Sequence, residues 1–195
     1  MFRITPLVRN LIIINVVVYL IQLLVPISTY FLALYDLKSD YFRPYQFFTY
    51  MFAHDSHGFL HIMFNMLALS SFGPILESYW GDKKFLFFYL ACGIGAGLIY
   101  GGVNFFLFPE ASGGIMLGAS GALYGILMAF GLIFPNMELM LLFPPIPIKA
   151  KYMVFLMGFL TYIMDRSGTV AHLAHFGGAF VAFLIINYWR TQGGR

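Results

Sequence analysis

Residues 84–106, KFLFFYLACGIGAGLIYGGVNFF, decide the fold class. After Lys84 no charged side chain appears before Phe106, and aromatic and aliphatic residues fall at every helical position. A helix needs roughly 20 mainly apolar residues to cross the hydrocarbon core of a bilayer, at about 1.5 Å per residue. This stretch meets that length and has no polar side to turn toward water. Its Gly93-x-Gly95-x-Gly97 spacing is not a dinucleotide fingerprint, because no strand precedes it; small residues so spaced let membrane helices pack closely.

Outward from this segment, five more approach the same requirement: Leu7 to Val25, Gly58 to Leu76, Leu117 to Phe134, Ile148 to Met164 and Thr169 to Trp189. The fifth of the six in chain order starts after Pro144-Pro145 and stops at Asp165-Arg166, as breakers and charges end a helix. Composition agrees, since 61% of the 195 residues are hydrophobic and 10% charged, more apolar surface than a soluble core can hide. The expectation is an all-α membrane protein, a bundle of six transmembrane helices. No Pro/Gly/Ser-rich linker divides it, so residues 1–195 form a single transmembrane domain. The first segment follows Arg3 and Arg9 but lacks a small-residue cleavage site, and its apolar run continues through Val25. It reads as a retained helix, not a secretory signal.

Six helices place both termini on one side. Arg3, Arg9, Lys83, Lys84, Lys149, Lys151, Arg190 and Arg195 fall on that side, and only Lys38, Arg43 and Arg166 opposite. The positive-inside rule then puts both termini in the cytoplasm of a multi-pass protein of the cell's inner (plasma) membrane. These scattered cations, net +3, make no patch for nucleic acid. The single cysteine, Cys92, permits neither an intrachain disulfide nor a cysteine metal site. The connection from Pro26 to His57 carries Tyr41, Phe42, Tyr45, Phe47, Phe48, Tyr50 and Phe52, and is expected in the outer interface, where aromatic rings favour headgroup depth.

On this topology the 5 histidines, His54, His57, His61, His172 and His175, all belong to the outer part of the second or sixth segment. Histidine in a membrane is costly unless it faces a bundle interior or a wet cavity. Ser120, in Gly118-Ala119-Ser120-Gly121, starts the fourth segment at the same depth. Small neighbours admit a substrate backbone, and a helix N-terminus offers N–H groups to a developing oxyanion. Taken alone the turn is equally a packing motif, with Gly121-x-x-x-Gly125 as small-xxx-small. An available base changes its meaning. His175 precedes Gly177-Gly178, glycines that let the sixth helix press on the fourth, so imidazole and hydroxyl can meet for proton transfer. Asp55 and Asp165 lie in flanking loops, so a Ser/His dyad is favoured over a triad, with Tyr124, one turn after Ser120, placed to stack on the ring. His61 and Asn65, i and i+4 on the second helix, can donate to an oxyanion beside the Ser120 N–H; otherwise they make an interhelical polar bond. His172 competes with His175 as base, but only His175 is followed by the glycine pair.

His61-Ile62-Met63-Phe64-Asn65, Gly118-Ala119-Ser120-Gly121 with Tyr124, and Ala174-His175-Phe176-Gly177-Gly178 resemble, in order and spacing, the signatures of rhomboid proteases on their second, fourth and sixth core helices. Gln46, Thr49, Glu77 and Trp80-Gly81 also resemble family positions. The Trp-Arg pair that some members carry in the first loop has no match beyond Tyr45-Gln46, and Ala182 stands where a glycine is usual. The resemblance implies a rhomboid-like six-helix bundle and an intramembrane serine endopeptidase that cleaves transmembrane protein substrates. It makes Ser120 the nucleophile, His175 the general base, His61, Asn65 and the Ser120 N–H the oxyanion donors, and Tyr124, Gly118 and Gly121 supporting residues. A small residue before the cleaved bond is expected, and no cofactor or metal. Two alternatives stand beside it. Inactive relatives bind transmembrane clients with a similar fold, but lose the serine or histidine. A histidine metal site has usable spacings at His57/His61 and His172/His175, yet Gly58 stands where metalloproteases place the glutamate base. The sequence carries no signal for an oligomeric state.

Overall fold

Helix α1 (Pro6–Leu24) opens with proline, whose missing N–H lies where a helix has no internal acceptor. Its N-cap, Thr5, makes no side-chain cap bond of its own. The cap comes from helix α4 (Phe59–Trp80): the Glu77 carboxylate accepts from Thr5 Oγ1 at 2.5 Å, the Leu7 N–H at 3.2 Å and the Val8 N–H at 2.9 Å. A single carboxylate therefore satisfies the otherwise orphaned amides of another helix and complements its positive end. The computed structural model describes residues 3–56, 58–107, 114–140, 145–164 and 169–193. His57, Pro144, Asp165, Arg166 and Arg195, used in the sequence reading, lie outside the described residues.

Gly81, at φ 81°, ends α4 in a conformation few other residues adopt, and the chain turns directly into α5 (Asp82–Leu107). This is the helix containing the opening segment. It buries Phe88, Cys92 and Ala96 toward α6 (Ser120–Ile133) and α8 (Thr169–Thr191), and Phe85 toward α4. The three helices meet almost backbone to backbone. A Cβ on Gly178 of α8 would fall onto the Gly121 carbonyl oxygen of α6, and one on Gly125 would stand 2.6 Å from Cys92 Cβ of α5. Lipid tails are as apolar as leucine, so such close packing supplies cohesion that exclusion of water cannot.

The helices α1, α4, α5 and α8 are long and apolar enough to cross a membrane, while α6 and residues 150–163 are apolar but shorter. Helix α1 is arranged inside out relative to a soluble protein: Ile13, Val17 and Leu20 are exposed, whereas Asn15 and Gln22 are buried. That pattern belongs in lipid.

Two departures from the sequence expectation concern the shorter elements. Helix α6 starts at Ser120 and not at Leu117, because Gly118 at φ 115° cannot continue a right-handed helix. The expected span from Ile148 begins instead as a strand: β1 (Glu138–Met140) pairs antiparallel with β2 (Pro147–Lys149), Leu139 opposite Ile148. Proline disfavours helix at the residue before it, and Pro147 stands at the start of β2. A 3₁₀ turn over residues 150–152 follows, and helix α7 runs only from Met153 to Met164. The chain is thus mostly, not wholly, helical.

The long first connection, with its short helices α2 (Ser28–Leu32) and α3 (Gln46–Thr49), does not simply lie in an interface. Tyr41, Tyr45 and Phe48 are exposed, but Leu34, Tyr50, Met51 and His54 are wholly buried. Gln46 organises it by accepting from the Arg43 N–H at 3.0 Å and donating to the Tyr41 carbonyl at 3.1 Å, and Thr49 donates to the Leu32 carbonyl at 2.9 Å. The segment enters the bundle because its backbone has partners there.

Candidate active site

The turn before α6 is clamped by that connection. Leu34 and Met116 exchange both backbone hydrogen bonds, at 2.9 and 2.8 Å, and the Gly118 N–H donates to the Tyr50 carbonyl at 2.9 Å. The Tyr50 hydroxyl is itself anchored on the Gly93 carbonyl of α5 at 2.5 Å. Ser120 therefore enters its helix from a turn held on the far side by buried structure, half-buried itself at the N-terminus of α6. The amides of a first helical turn have no carbonyl of their own helix to bond, so they are available to an anion forming at Ser120.

Helix α8 brings His175 to the same place. Gly121, next to Ser120, lies against Gly178, one turn after His175, and a Cβ on Gly121 would stand 3.7 Å from the Ala174 carbonyl oxygen. This crossing joins the helix that starts at Ser120 to the helix that carries His175. The His175 ring stacks on Tyr124, with centroids 4.1 Å apart and planes 10° from parallel. Tyr124 is one turn after Ser120 on the same helix. His172 occupies a different position: its ring packs on Tyr162 of α7 at 5.3 Å and 48°. Both histidines border a cavity of about 390 Å³ between α6, α7 and α8, whose walls are otherwise mainly apolar.

Helix α4 supplies the third wall. A Cβ on Gly118 would lie 2.8 Å from His61 Nε2, so this imidazole sits against the turn that precedes Ser120. Its other nitrogen, Nδ1, accepts from the Asp55 N–H at 3.4 Å. Accepting there leaves Nε2 as the protonated nitrogen, a donor facing the turn. Asn65, buried, donates from Nδ2 to the His61 carbonyl at 2.7 Å, and its Oδ1 has no hydrogen-bond partner among the described residues. Nδ2 carries a second N–H besides the one given to His61, and that is the donor an oxyanion could use.

Behind His61 stands His54, wholly buried, its ring edge-to-face at 5.2 Å and 62°. Burial first, and second the repulsion His61 exerts once it is itself protonated, hold its pKa down at about 4 against the usual 6.5. Gln22 of α1 grips the His54 backbone from both sides, accepting its N–H at 2.9 Å and donating to its carbonyl at 3.0 Å. Sequence reasoning missed Gln22; its signal was an amide, with Asn15 two turns before it, inside an apolar run.

Polar groups from α4, α6 and α8 thus converge at a glycine-lined helix start within a mostly helical, membrane-type bundle. The family model for the Rhomboid domain matches residues 41–191, which include all of these groups, and the chain belongs to the rhomboid family. It is 34% identical over 129 residues to Rhomboid protein 1, mitochondrial, of Saccharomyces cerevisiae. The match covers 65% of this chain and 37% of the relative, so the chain spans well under half of that protein's length.

Proposed function

We propose that this chain is an intramembrane serine endopeptidase acting on transmembrane segments of other proteins through a Ser120/His175 dyad. The observation that carries the reading is the parallel stack of His175 on Tyr124 at 4.1 Å, one turn from Ser120 at the start of α6. Stacking fixes the plane of an imidazole without a carboxylate, which is what a dyad requires of its third residue. In this reading His175 takes the Ser120 proton as the hydroxyl attacks a carbonyl, then returns it to the leaving amine. The His61 Nε2–H, the Asn65 amide and the Ser120 N–H receive the oxyanion. Gly118 and Gly121 keep the approach free of side chains.

The helices α6 and α7 complete a six-helix bundle with α1, α4, α5 and α8, both termini on the side rich in lysine and arginine. The shortness of α6 fits a serine sunk below the outer surface and reached by water. A substrate segment that is regular helix hides its carbonyls, so a helix-destabilising sequence with a small residue before the scissile bond is the expected target.

The test is covalent labelling of purified protein by a fluorophosphonate, which reports an activated serine without needing a substrate. Wild type should label at one site and Ser120→Ala not at all. Labelling retained in Ser120→Ala removes the assignment.

A further inference from the structure

Tyr124 has a second partner besides His175. Its hydroxyl lies 2.6 Å from Oγ1 of Thr161 on α7, and Thr161 donates to the Met157 carbonyl at 2.8 Å. A threonine hydroxyl carries one proton. Because that proton is committed to Met157, the phenol is the donor in the first bond. The result is a directed chain from the Tyr124 O–H through the Thr161 O–H to a helix carbonyl, each bond polarising the next.

We infer that Thr161 is a positioning residue for His175, acting through Tyr124; the inference rests on the Ser120/His175 reading above. Beyond its apolar packing with Leu127, Val154 and Ala179, the phenol ring has two directed contacts, the imidazole on its face and Thr161 at its far end. Tyr124 and His175 also border the cavity between α6, α7 and α8, so a directed bond at the phenol's far end adds to what fixes the pair. A threonine bonding back to its own i−4 carbonyl is ordinary in membrane helices and needs no tyrosine. What distinguishes this one is that its remaining acceptor capacity is spent on the residue that faces the base. The chemistry also benefits. A phenol that gives up its proton density has a more electron-rich face, and a cation over such a face is favoured, as the imidazole becomes when it takes the serine proton. Helix α7, which makes no part of the dyad, thereby acts on it.

The experiment uses the full chain in proteoliposomes with a transmembrane reporter, measuring kcat and KM, and in parallel the rate and end-point of fluorophosphonate labelling. The variants are Thr161→Val, Thr161→Ser, Tyr124→Phe, the double variant Tyr124→Phe/Thr161→Val, and Ser120→Ala. Thr161→Val should lower kcat and the labelling rate by about threefold to tenfold, the worth of one ordinary hydrogen bond. KM and the labelling end-point should stay at wild-type values, because the protein is folded and binds substrate as before. Thr161→Ser should restore the rate, and the double variant should be no slower than Tyr124→Phe alone. Wild-type kcat in Thr161→Val, additive effects in the double variant, or an end-point that falls in step with kcat would each overturn the positioning role while Ser120→Ala stays inactive. Undiminished cleavage by Ser120→Ala would instead remove the protease reading, and the inference with it.

Discussion

His61 lies so close to Gly118 that a Cβ on the glycine would stand 2.8 Å from Nε2 and 2.9 Å from Cε1 of the imidazole. The glycine also holds φ at 115°, where an L side chain is strained whatever the space. Gly118→Ala therefore meets two objections at once, backbone strain of about 1 kcal/mol and displacement of His61, the proposed oxyanion donor. Misplacing a catalytic group by an ångström costs on the order of a hundredfold in rate. Cleavage per folded molecule should fall by about that factor, with only a modest drop in melting temperature. A variant that melts like wild type and cleaves at the wild-type rate would show that His61 is not held at this turn.

The contact between α6 and α8 predicts a contrast between two glycines. A Cβ on Gly178 would collide with the Gly121 carbonyl, backbone that no rotamer change can move aside. Gly178→Ala should destabilise the protein by about 1–3 kcal/mol and lower activity, because Ser120 and His175 sit on the two helices being separated. Gly158 of α7 has nothing within 4 Å of its Cβ position. Gly158→Ala should leave stability within about 1 kcal/mol of wild type, in the stabilising direction if anything. Thermal unfolding of both in one detergent checks the ordering.

Glu77 ties α1 to α4 by accepting from Thr5, Leu7 and Val8. Glu77→Ala leaves part-buried donors without an acceptor and should cost about 1–3 kcal/mol; Glu77→Gln keeps one acceptor and should cost less. Activity corrected for the folded fraction should be preserved in both, since none of these bonds touches the dyad. A rate loss at full folding would mean that α1 acts on the site.

His54 makes stability depend on pH. With its folded pKa at about 4 and the usual value at 6.5, the unfolded chain takes up this proton first as pH falls. The stability contributed by neutral His54 is complete above the unfolded value and is lost on acidification toward the folded one. Over the whole window the loss is about 3 kcal/mol. Melting temperatures from pH 7.5 to 4.5 should fall more steeply for wild type than for His54→Asn. Parallel curves would contradict the buried, neutral histidine.

The parts of the site that could be read from residues are those whose spacing is itself the structure. Tyr124 lies one turn after Ser120 and is stacked on His175 in the fold; His61 and Asn65 share a helix face; Gly177-Gly178 marks the close crossing with α6. The unread parts depend on long-range pairing. Gln22 and His54 are 32 positions apart, and Tyr124 and Thr161 are 37 apart. A threonine in an apolar helix gives no sign of its partner. Glu77 was noticed only as a family position, and its bonds to the start of α1 needed coordinates. The helix expected from Ile148 ends at Met164 as expected but starts only at Met153, because apolar residues alone do not distinguish a short strand from a buried helix. Burial of Tyr50 and His54 was likewise hidden, since aromatic residues suit an interface and a core equally.

The central claim is that Ser120, activated by His175, breaks peptide bonds within the membrane. Its most direct measurement is cleavage of a transmembrane reporter in proteoliposomes by wild type, Ser120→Ala and His175→Ala, each shown to be folded. Wild type should cleave, and both variants should lose cleavage by a factor on the order of a thousand or more, as removal of one member of a catalytic unit does. Cleavage by Ser120→Ala at the wild-type rate would contradict the claim.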